Sequence, residues 1–208
     1  MTRARPQQQR SRATVDRILA AADAAFAAHG SAVVTTTQIA ADAGVSVGAL
    51  YRFFTDKEAI KAALAERYLE AANARFAPLL ATVSSRRDLP DVLRSIIVAA
   101  GELALEHPGY YQLTREVPPG DVGSAGATVR RTIVDEFDEL MVRLGDPPGD
   151  SGRLVTVTLL IETVRHTLAA APRDEPARGA VVAELVEMVV GHAERRLGLR
   201  TTRKIRGS

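Results

Sequence analysis

The sequence predicts an all-α protein. Three observations support this fold class: alanine is abundant, apolar residues recur at intervals of three and four, and alternating β-branched residues are scarce. With 208 residues and a hydrophobic content of 46%, the chain is long enough to bury a substantial core. We expect about nine helices, arranged as a small N-terminal three-helix domain and a larger C-terminal helical domain.

Capping signals define the first two helices. The first helix is predicted over about residues 12–28, and Gly30 ends it because glycine adopts the left-handed conformation that closes a helix. Thr35 and Gln38 have the spacing of a capping box, in which each residue's side chain bonds the other's backbone N–H. They open a second helix of barely two turns, which ends at Gly44.

The third and fourth helices follow directly. Ser46 caps a third helix expected over about residues 47–54, and a Thr-x-x-Glu box starting at Thr55 opens a long fourth helix. Pro78 lies inside this fourth helix. We expect it to bend the helix unless the helix ends nearby, because proline removes the bond to the carbonyl of Ala74.

Five further helices are predicted from apolar periodicity and from breaks rich in proline and glycine. Their expected spans are about 90–107, 109–116, 129–144, 151–170 and 175–197. The last two carry apolar stripes wider than one core layer requires, so they are either deeply buried or also meet a second copy. We favour a dimer interface, because two-fold pairs are the commonest oligomers. The candidate interface residues are Val155, Leu159, Val182, Val186, Val189 and Val190.

Composition excludes several classes of function. Cysteine is absent, which removes disulfides, thiolate metal sites and thiol nucleophiles and suits a reducing cytoplasm. No apolar run approaches the length of a membrane span, and the N-terminus lacks the apolar segment of a signal peptide. His-Glu-x-x-His, Gly-x-Ser-x-Gly and glycine-rich phosphate-loop motifs are all missing. We therefore expect a cytoplasmic protein that is not an enzyme and holds no cofactor or metal.

Both ends of the chain are basic. The N-terminal arginines, opposed only by Asp16, are Arg3, Arg5, Arg10, Arg12 and Arg17. They fit a disordered arm lying along a DNA backbone or minor groove, and a plain solubility tail is the alternative. The basic C-terminus, residues 201–208, is expected to be a disordered tail.

The two short helices with a glycine turn predict a helix-turn-helix, whose second helix enters the major groove of DNA. Gly44 permits the chain reversal, and small apolar residues such as Ala40 let the helices approach closely. Free backbone N–H groups at the starts of the second and fourth helices, with Thr36 and Lys57 beside them, are expected to clamp phosphates.

This stretch resembles the TetR family of bacterial one-component regulators, whose signature is T-x-x-x-I-A-x-x-A-G-V-S-x-G-x-x-Y-x-x-F-x-x-K-E-x-L. The chain matches it over about residues 14–62, with Ile60 in place of the final leucine. The resemblance implies the N-terminal helix-turn-helix domain, a larger helical domain with a ligand cavity, and a two-helix dimer face. The DNA contacts that it implies are Thr36, Thr37, Ser46, Val47, Gly48, Tyr51, Phe53 and Lys57.

Arg52 and Phe53 occupy the two variable positions between Tyr51 and Phe54 of the signature. Arg52 is the candidate for polar base recognition or a second phosphate contact, because a guanidinium binds guanine through two hydrogen bonds. Phe53 stands where other members have histidine and cannot donate a hydrogen bond to phosphate. The possible roles of Phe53 are therefore packing within the protein or a contact with a thymine methyl group.

The larger domain is expected to hold a small, largely apolar effector, since small-ligand sites are mostly apolar with a few polar groups. A pairing of Glu162 with His166 is expected to stabilise the helix rather than bind metal. The candidate effector-binding residues are Phe76, Ile97, Tyr110, Tyr111, Phe137, Met141 and His166.

Together these features predict a ligand-responsive transcriptional regulator, most simply a repressor. It would bind palindromic double-stranded DNA as a homodimer through its last two long helices and be released by an unknown small molecule. The alternatives are a DNA-binding protein without an effector and an all-α ligand carrier or enzyme. The expected division is 1–55 for the arm and DNA-binding domain, 56–200 for the ligand-binding and dimerisation domain, and 201–208 for the tail.

Overall fold

A computed structural model describes residues 4–115, 123 and 125–198 of the chain. The described part is all-α, as predicted, with nine helices and no strand. None of these helices combines the length and apolarity that a bilayer span requires. The helices are α1 Ala4–His29, α2 Thr36–Asp42, α3 Val47–Tyr51, α4 Lys57–Ala81, α5 Leu89–Glu106, α6 Pro108–Arg115, α7 Ala125–Arg143, α8 Ser151–Ala170 and α9 Ala177–Arg196.

Several sequence-based boundaries were wrong, including the start of α7, which lies at Ala125 rather than near residue 129. The helix α1 begins at Ala4, so residues 4–11 are not a disordered arm. Gln and Arg are good helix formers, and Pro6 falls in the first turn, where its missing N–H costs nothing. Residues 1–3 and the predicted tail at 201–208 lie outside the described residues.

The third helix is shorter than expected. It spans five residues, because Arg52 caps it and the N–H groups of both Phe53 and Phe54 bond the carbonyl of Leu50. The next helix begins one residue later than the proposed Thr55 box implies. Asp56 caps it instead, with Oδ1 accepting from the Ala59 amide at 2.8 Å.

The described helices form two compact units. One contains α1, α2, α3, α6 and the first half of α4; the other contains the rest of α4 with α5, most of α7, α8 and α9. This grouping follows backbone packing. The functional division at residue 55 stays a prediction.

The first unit surrounds a core to which α1, α2, α3 and α4 all contribute. Its fully buried members include Ile18 and Phe26 of α1, Ile39 of α2, Leu50 of α3 and Ile60 of α4. The predicted apolar stripe of the first helix is therefore used inside this unit. Because these side chains lock α2 and α3 onto α1, the three helices form one body.

The helix α6 belongs to the same unit and docks onto α1 through its N-terminus. Asp23 of α1 accepts a hydrogen bond from the backbone N–H of Tyr110 at 3.0 Å, so a carboxylate from one helix caps the other. Burial raises the pKa of Asp23, and the amides of Tyr110 and Gly109 partly oppose that rise. The free N–H groups that begin α6 are thus satisfied by α1.

Glycine is required at the contact between α6 and α1. A Cβ built at Gly109 would overlap the backbone carbonyl of Asp23, which has no room to move inside a helix. Tyr110 follows it directly and is buried. The close approach of the two helices therefore depends on the absence of a side chain at one position.

The second unit has a core where α5, α7 and α9 meet. It is centred on Leu89, Leu140, Met141, Ala193 and Leu197, all of them buried. Half-buried apolar residues, including Leu160 of α8, pack around this centre. The four helices of the unit therefore share one apolar interior.

A buried ionic network stabilises the ends of these helices. Arg153 of α8 is buried, donates from Nε to Asp138 at 2.9 Å and lies 3.3 Å from Asp146 through Nη1. Asp146 also pairs with Arg86, whose Nη1 donates to the carbonyl of Leu197 at 2.9 Å. A buried guanidinium is tolerated only when its charge is matched, and two carboxylates match it here.

Gly109→Ala should lower the free energy of unfolding by about 1–3 kcal/mol, because the added methyl group overlaps the α1 backbone. Chemical denaturation with urea measures this difference. Gly179→Ala in α9 is the control, since its Cβ would meet only the flexible end of Glu175. A loss at Gly109 no larger than the change at Gly179 would contradict the docking geometry.

Candidate nucleic-acid interface

The N-terminus of α2 is held by the predicted capping box. The Thr35 amide donates to Gln38 Oε1 at 2.9 Å, and the Gln38 amide donates to Thr35 Oγ1 at 3.2 Å. Two amides at the start of the helix are therefore satisfied within the chain. Thr36 and Thr37, predicted DNA contacts, lie in the first turn, with Thr37 exposed and Thr36 half-buried.

The turn between α2 and α3 is closed by a Schellman motif. The Val45 amide donates to the Ala40 carbonyl and the Gly44 amide to the Ala41 carbonyl, both at 3.0 Å. Gly44 has φ +64°, a backbone conformation that favours glycine. The predicted chain reversal at this residue is present, and its backbone bonds orient the start of α3.

The helix α3 is held at its ends and by one side chain. Ser46 caps it, with Oγ accepting from the Ala49 amide at 3.1 Å, and Leu50 is its one fully buried residue. The sequence-predicted DNA contacts in and beside this helix are exposed to solvent: Ser46, Val47, Gly48, Tyr51, Arg52 and Phe53. One face of a short helix is thus free to meet a partner.

A hydroxyl pair joins the two helices at the surface. Thr36 Oγ1 and Tyr51 Oη lie 2.9 Å apart, so the start of α2 and the end of α3 are hydrogen-bonded to each other. Tyr51 is nevertheless 49% exposed. One of the two O–H groups is used in this bond, and the other can still donate to an oxygen anion, which suits the DNA contacts predicted at both residues.

Lys57 has a structural task that the sequence did not reveal. Its Nζ donates to the carbonyls of Ser31, Ala32 and Val34 at 2.6, 3.3 and 3.0 Å. An ammonium has three N–H donors, and all three have an acceptor in the loop before α2. Its role as a phosphate contact stays a prediction.

Gly48 lies in open space. A Cβ built there meets nothing within 4 Å, so the fold of this chain does not require glycine at that position. Glycine inside a helix costs about 0.5–1 kcal/mol relative to alanine. The role of Gly48 as a DNA contact stays a prediction.

The sequence-predicted effector residues are divided between the two units. Tyr110 and Tyr111 belong to the first unit and pack with Tyr68: the Tyr68 and Tyr110 rings stack at 3.9 Å, and the Tyr68 and Tyr111 hydroxyls lie 3.0 Å apart. Phe137 and Met141 share the core of the second unit.

The other three candidates differ in burial. Ile97 of α5 is buried, Phe76 of α4 is half-buried, and His166 of α8 is exposed. His166 Nδ1 lies 2.9 Å from the carbonyl oxygen of Glu162 and 3.3 Å from its carboxylate, as a pair within one helix. No group of side chains suited to a metal occurs among the described residues.

The candidate dimer residues separate into two sets. Val155 and Leu159 of α8 are 60% and 62% exposed. The side chain of Val182 lies against Gly101 of the same protomer. The remaining three are buried inside the protomer: Val186, Val189 and Val190.

Two family models match the sequence. The model "Bacterial regulatory proteins, tetR family" matches residues 18–64, which include α2 and α3. The model "Tetracyclin repressor-like, C-terminal domain" matches residues 88–192, about half of the 208-residue chain. The chain belongs to the TetR family. The resemblance inferred from the signature is confirmed.

Solved structures of bacterial regulators share the fold. A transcriptional regulator from Streptomyces coelicolor has 22% identity and a TM-score of 0.65, covering 88% of this chain and 99% of its own. The fatty acid degradation regulator FadR from Bacillus halodurans has 16% identity and a TM-score of 0.67, covering 86% and 95%. The ketosteroid regulator KstR2 from Mycobacterium tuberculosis has 17% identity and a TM-score of 0.64, covering 85% and 93%. No curated protein matches the chain.

Gly48→Ala should separate stability from binding. The free energy of unfolding should rise by about 0.5–1 kcal/mol, because alanine favours the helix and its methyl group meets nothing. DNA affinity, measured by fluorescence anisotropy, should fall because the same methyl group occupies the exposed face of α3. Gly152→Ala in the first turn of α8 should leave DNA affinity unchanged. Unaltered DNA affinity of the Gly48 variant would remove α3 from the interface.

Proposed function

We propose that this TetR-family protein is a ligand-responsive repressor that binds palindromic DNA as a homodimer through α2 and α3. The observation that carries the proposal is the exposure of α3. It buries Leu50 and turns Val47, Gly48 and Tyr51 to solvent. Such a helix fits the major groove, where the N-terminal residues of a recognition helix contact base edges.

The groups around α3 fit the phosphate backbone. The hydroxyls of Thr36 and Tyr51 lie side by side at the start of α2, where the helix dipole favours an anion. Arg52 is exposed immediately after α3. Base contacts would come from the start of α3, with phosphate contacts on either side of it.

Exposed apolar side chains on α8 and α9 support a homodimer. Val155 and Leu159 are one helical turn apart on α8, and Met188 of the adjoining α9 is 54% exposed. Large apolar side chains grouped on a surface mark interaction sites, and a two-fold pair buries the same patch on both copies. We therefore assign the interface to these outward residues, whereas Val186, Val189 and Val190 support the protomer.

The effector is proposed to be a small, largely apolar molecule. The helices α5 and α7 supply buried or half-buried apolar residues such as Ile97 and Phe137, which suit an apolar ligand. Binding would favour a conformation with a different affinity for DNA, since a ligand shifts an equilibrium only by binding one state more tightly.

Selection from random DNA duplexes tests the repressor proposal. The full-length protein should enrich a palindrome whose half-sites lie about one turn of duplex apart, about 10 base pairs. Leu159→Glu should make the protein monomeric in sedimentation and weaken binding to that palindrome. Val98→Glu, at an exposed apolar position on α5, is the control and should change neither property. Enrichment of no sequence would overturn the proposal, and a dimeric Leu159 variant would exclude the assigned interface.

A thermal-shift screen of small molecules tests the effector. A true effector should raise the melting temperature and also release the selected palindrome, because both effects come from tighter binding to one state. A ligand that stabilises the protein without releasing DNA would contradict the proposed regulation. If no compound in a broad screen acts, the alternative of a DNA-binding protein without a small effector is favoured.

A further inference from the structure

The extended α1 carries arginines in a regular arrangement. Arg10 and Arg17 are seven residues apart, and at about 100° per residue they lie within about 20° of each other around the helix. Both are exposed. We call these two residues the arginine row; they lie about 10.5 Å apart along the axis.

One end of the row reaches the helix-turn-helix. Arg17 Nη1 lies 3.8 Å from the position that a Cβ would occupy at Gly44, the residue that turns the chain between α2 and α3. The start of α3 follows this turn directly. The guanidinium of Arg17 therefore lies beside the end of the helix that approaches base edges in this class of DNA-binding motif.

The charge of the row is not neutralised within the described part of the chain. Neither guanidinium makes an ion pair or hydrogen bond to another described residue. Asp16, the one acidic residue among the first 17, lies on another face of α1, and its carboxylate is 3.5 Å from Arg67 Nη1. Two cations therefore remain available to an anionic partner.

Arg12 provides an internal comparison. It is exposed on the same helix but lies about 200° around the axis from Arg10, on the face that also carries Asp16 and Asp23. Asp23 contacts α6, so this face is not the one beside Gly44. Arg12 has the same charge as the residues of the row, is also exposed and belongs to the same helix, but it lies on a different face of α1.

We propose that the row formed by Arg10 and Arg17 is a second DNA-binding surface, which contacts phosphates flanking the site occupied by α3. This rests on the proposed function and extends it. A helix fixed to the three-helix core presents these cations at set positions, whereas a disordered arm would have to be ordered on binding. Each phosphate neutralised releases counterions, so the contacts appear in the salt dependence of binding.

The experiment compares the wild type, the Arg10→Gln/Arg17→Gln variant and Arg12→Gln on the selected palindrome between 50 and 200 mM salt. Each phosphate contact contributes about 0.9 to the slope of log affinity against log salt. The proposed dimer carries the row twice, so the double variant should lose about 3.6. Over this fourfold range its affinity should fall about 150-fold less than that of the wild type. Arg12→Gln should keep the wild-type slope. Glutamine favours helix, and circular dichroism checks that α1 persists.

Two results would overturn the proposal: an unchanged slope in the double variant, or an equal change in the Arg12 variant, which would indicate general charge alone. In an ethylation-interference experiment, ethylating the flanking phosphates should weaken binding of the wild type and leave binding of the double variant unchanged. If the wild type enriches no sequence, the proposed repressor fails instead. The slopes remain measurable on a random duplex and still decide whether the row binds phosphate.

Discussion

The structure of the DNA-facing side depends on how α3 is held. A five-residue helix is too short to be stable alone, because helix formation has a costly nucleus. It persists because the Schellman motif at Gly44 and the Ser46 cap satisfy the backbone at its start, while Leu50 anchors it in the core. Since the backbone bonds and Leu50 hold the helix, with the Tyr51 hydroxyl adding a bond to Thr36, Val47 and Gly48 at its start are left exposed to solvent. Exposure of the recognition surface and stability of the fold are thus compatible.

The same unit also contains α6, which a division into reading and sensing domains would place elsewhere. Its N-terminus is capped by Asp23 of α1, and Gly109 allows the backbones to approach closely. Tyr110 adds a ring stacked on Tyr68 of α4. A rearrangement of α6 would therefore have to break a carboxylate cap and an aromatic contact, both of them joined to helices that carry α2 and α3. The helix α6 therefore belongs to the packed unit that supports α3.

Structural features set by residues close in sequence could be predicted, and contacts between residues far apart in sequence could not. The capping box at Thr35, the turn at Gly44 and the order of the helices all follow from neighbours within a few residues, and the structure has them. The tie from Lys57 to the loop before α2 and the Asp23 cap join residues far apart in sequence, so no local pattern indicated them. The lone aspartate in an alanine-rich stretch was the one available signal for Asp23. Charge alone predicts a disordered N-terminal arm, whereas residues 4–11 are helical, as the helix propensity of Gln and Arg favours. The wide stripes of α8 and α9 could not show which valines face the protomer's own core and which face outward.

The position of Lys57 bears on how the phosphate contact proposed near α2 would be made. All three of its donors are engaged by carbonyls of residues 31–34, and yet its positive charge stays in place. That charge lies beside the loop leading into the N-terminus of α2, where the helix dipole is also positive. It can therefore attract a phosphate through space while the Thr36–Tyr51 pair supplies a hydrogen bond from the one O–H group that is not used within the pair. An arrangement of this kind separates the two tasks: the lysine provides the field and fixes the loop, and the neutral hydroxyls provide the directional contact. Replacing Lys57 would disturb both the loop and the field, so loss of binding in such a variant would not by itself identify a direct phosphate contact.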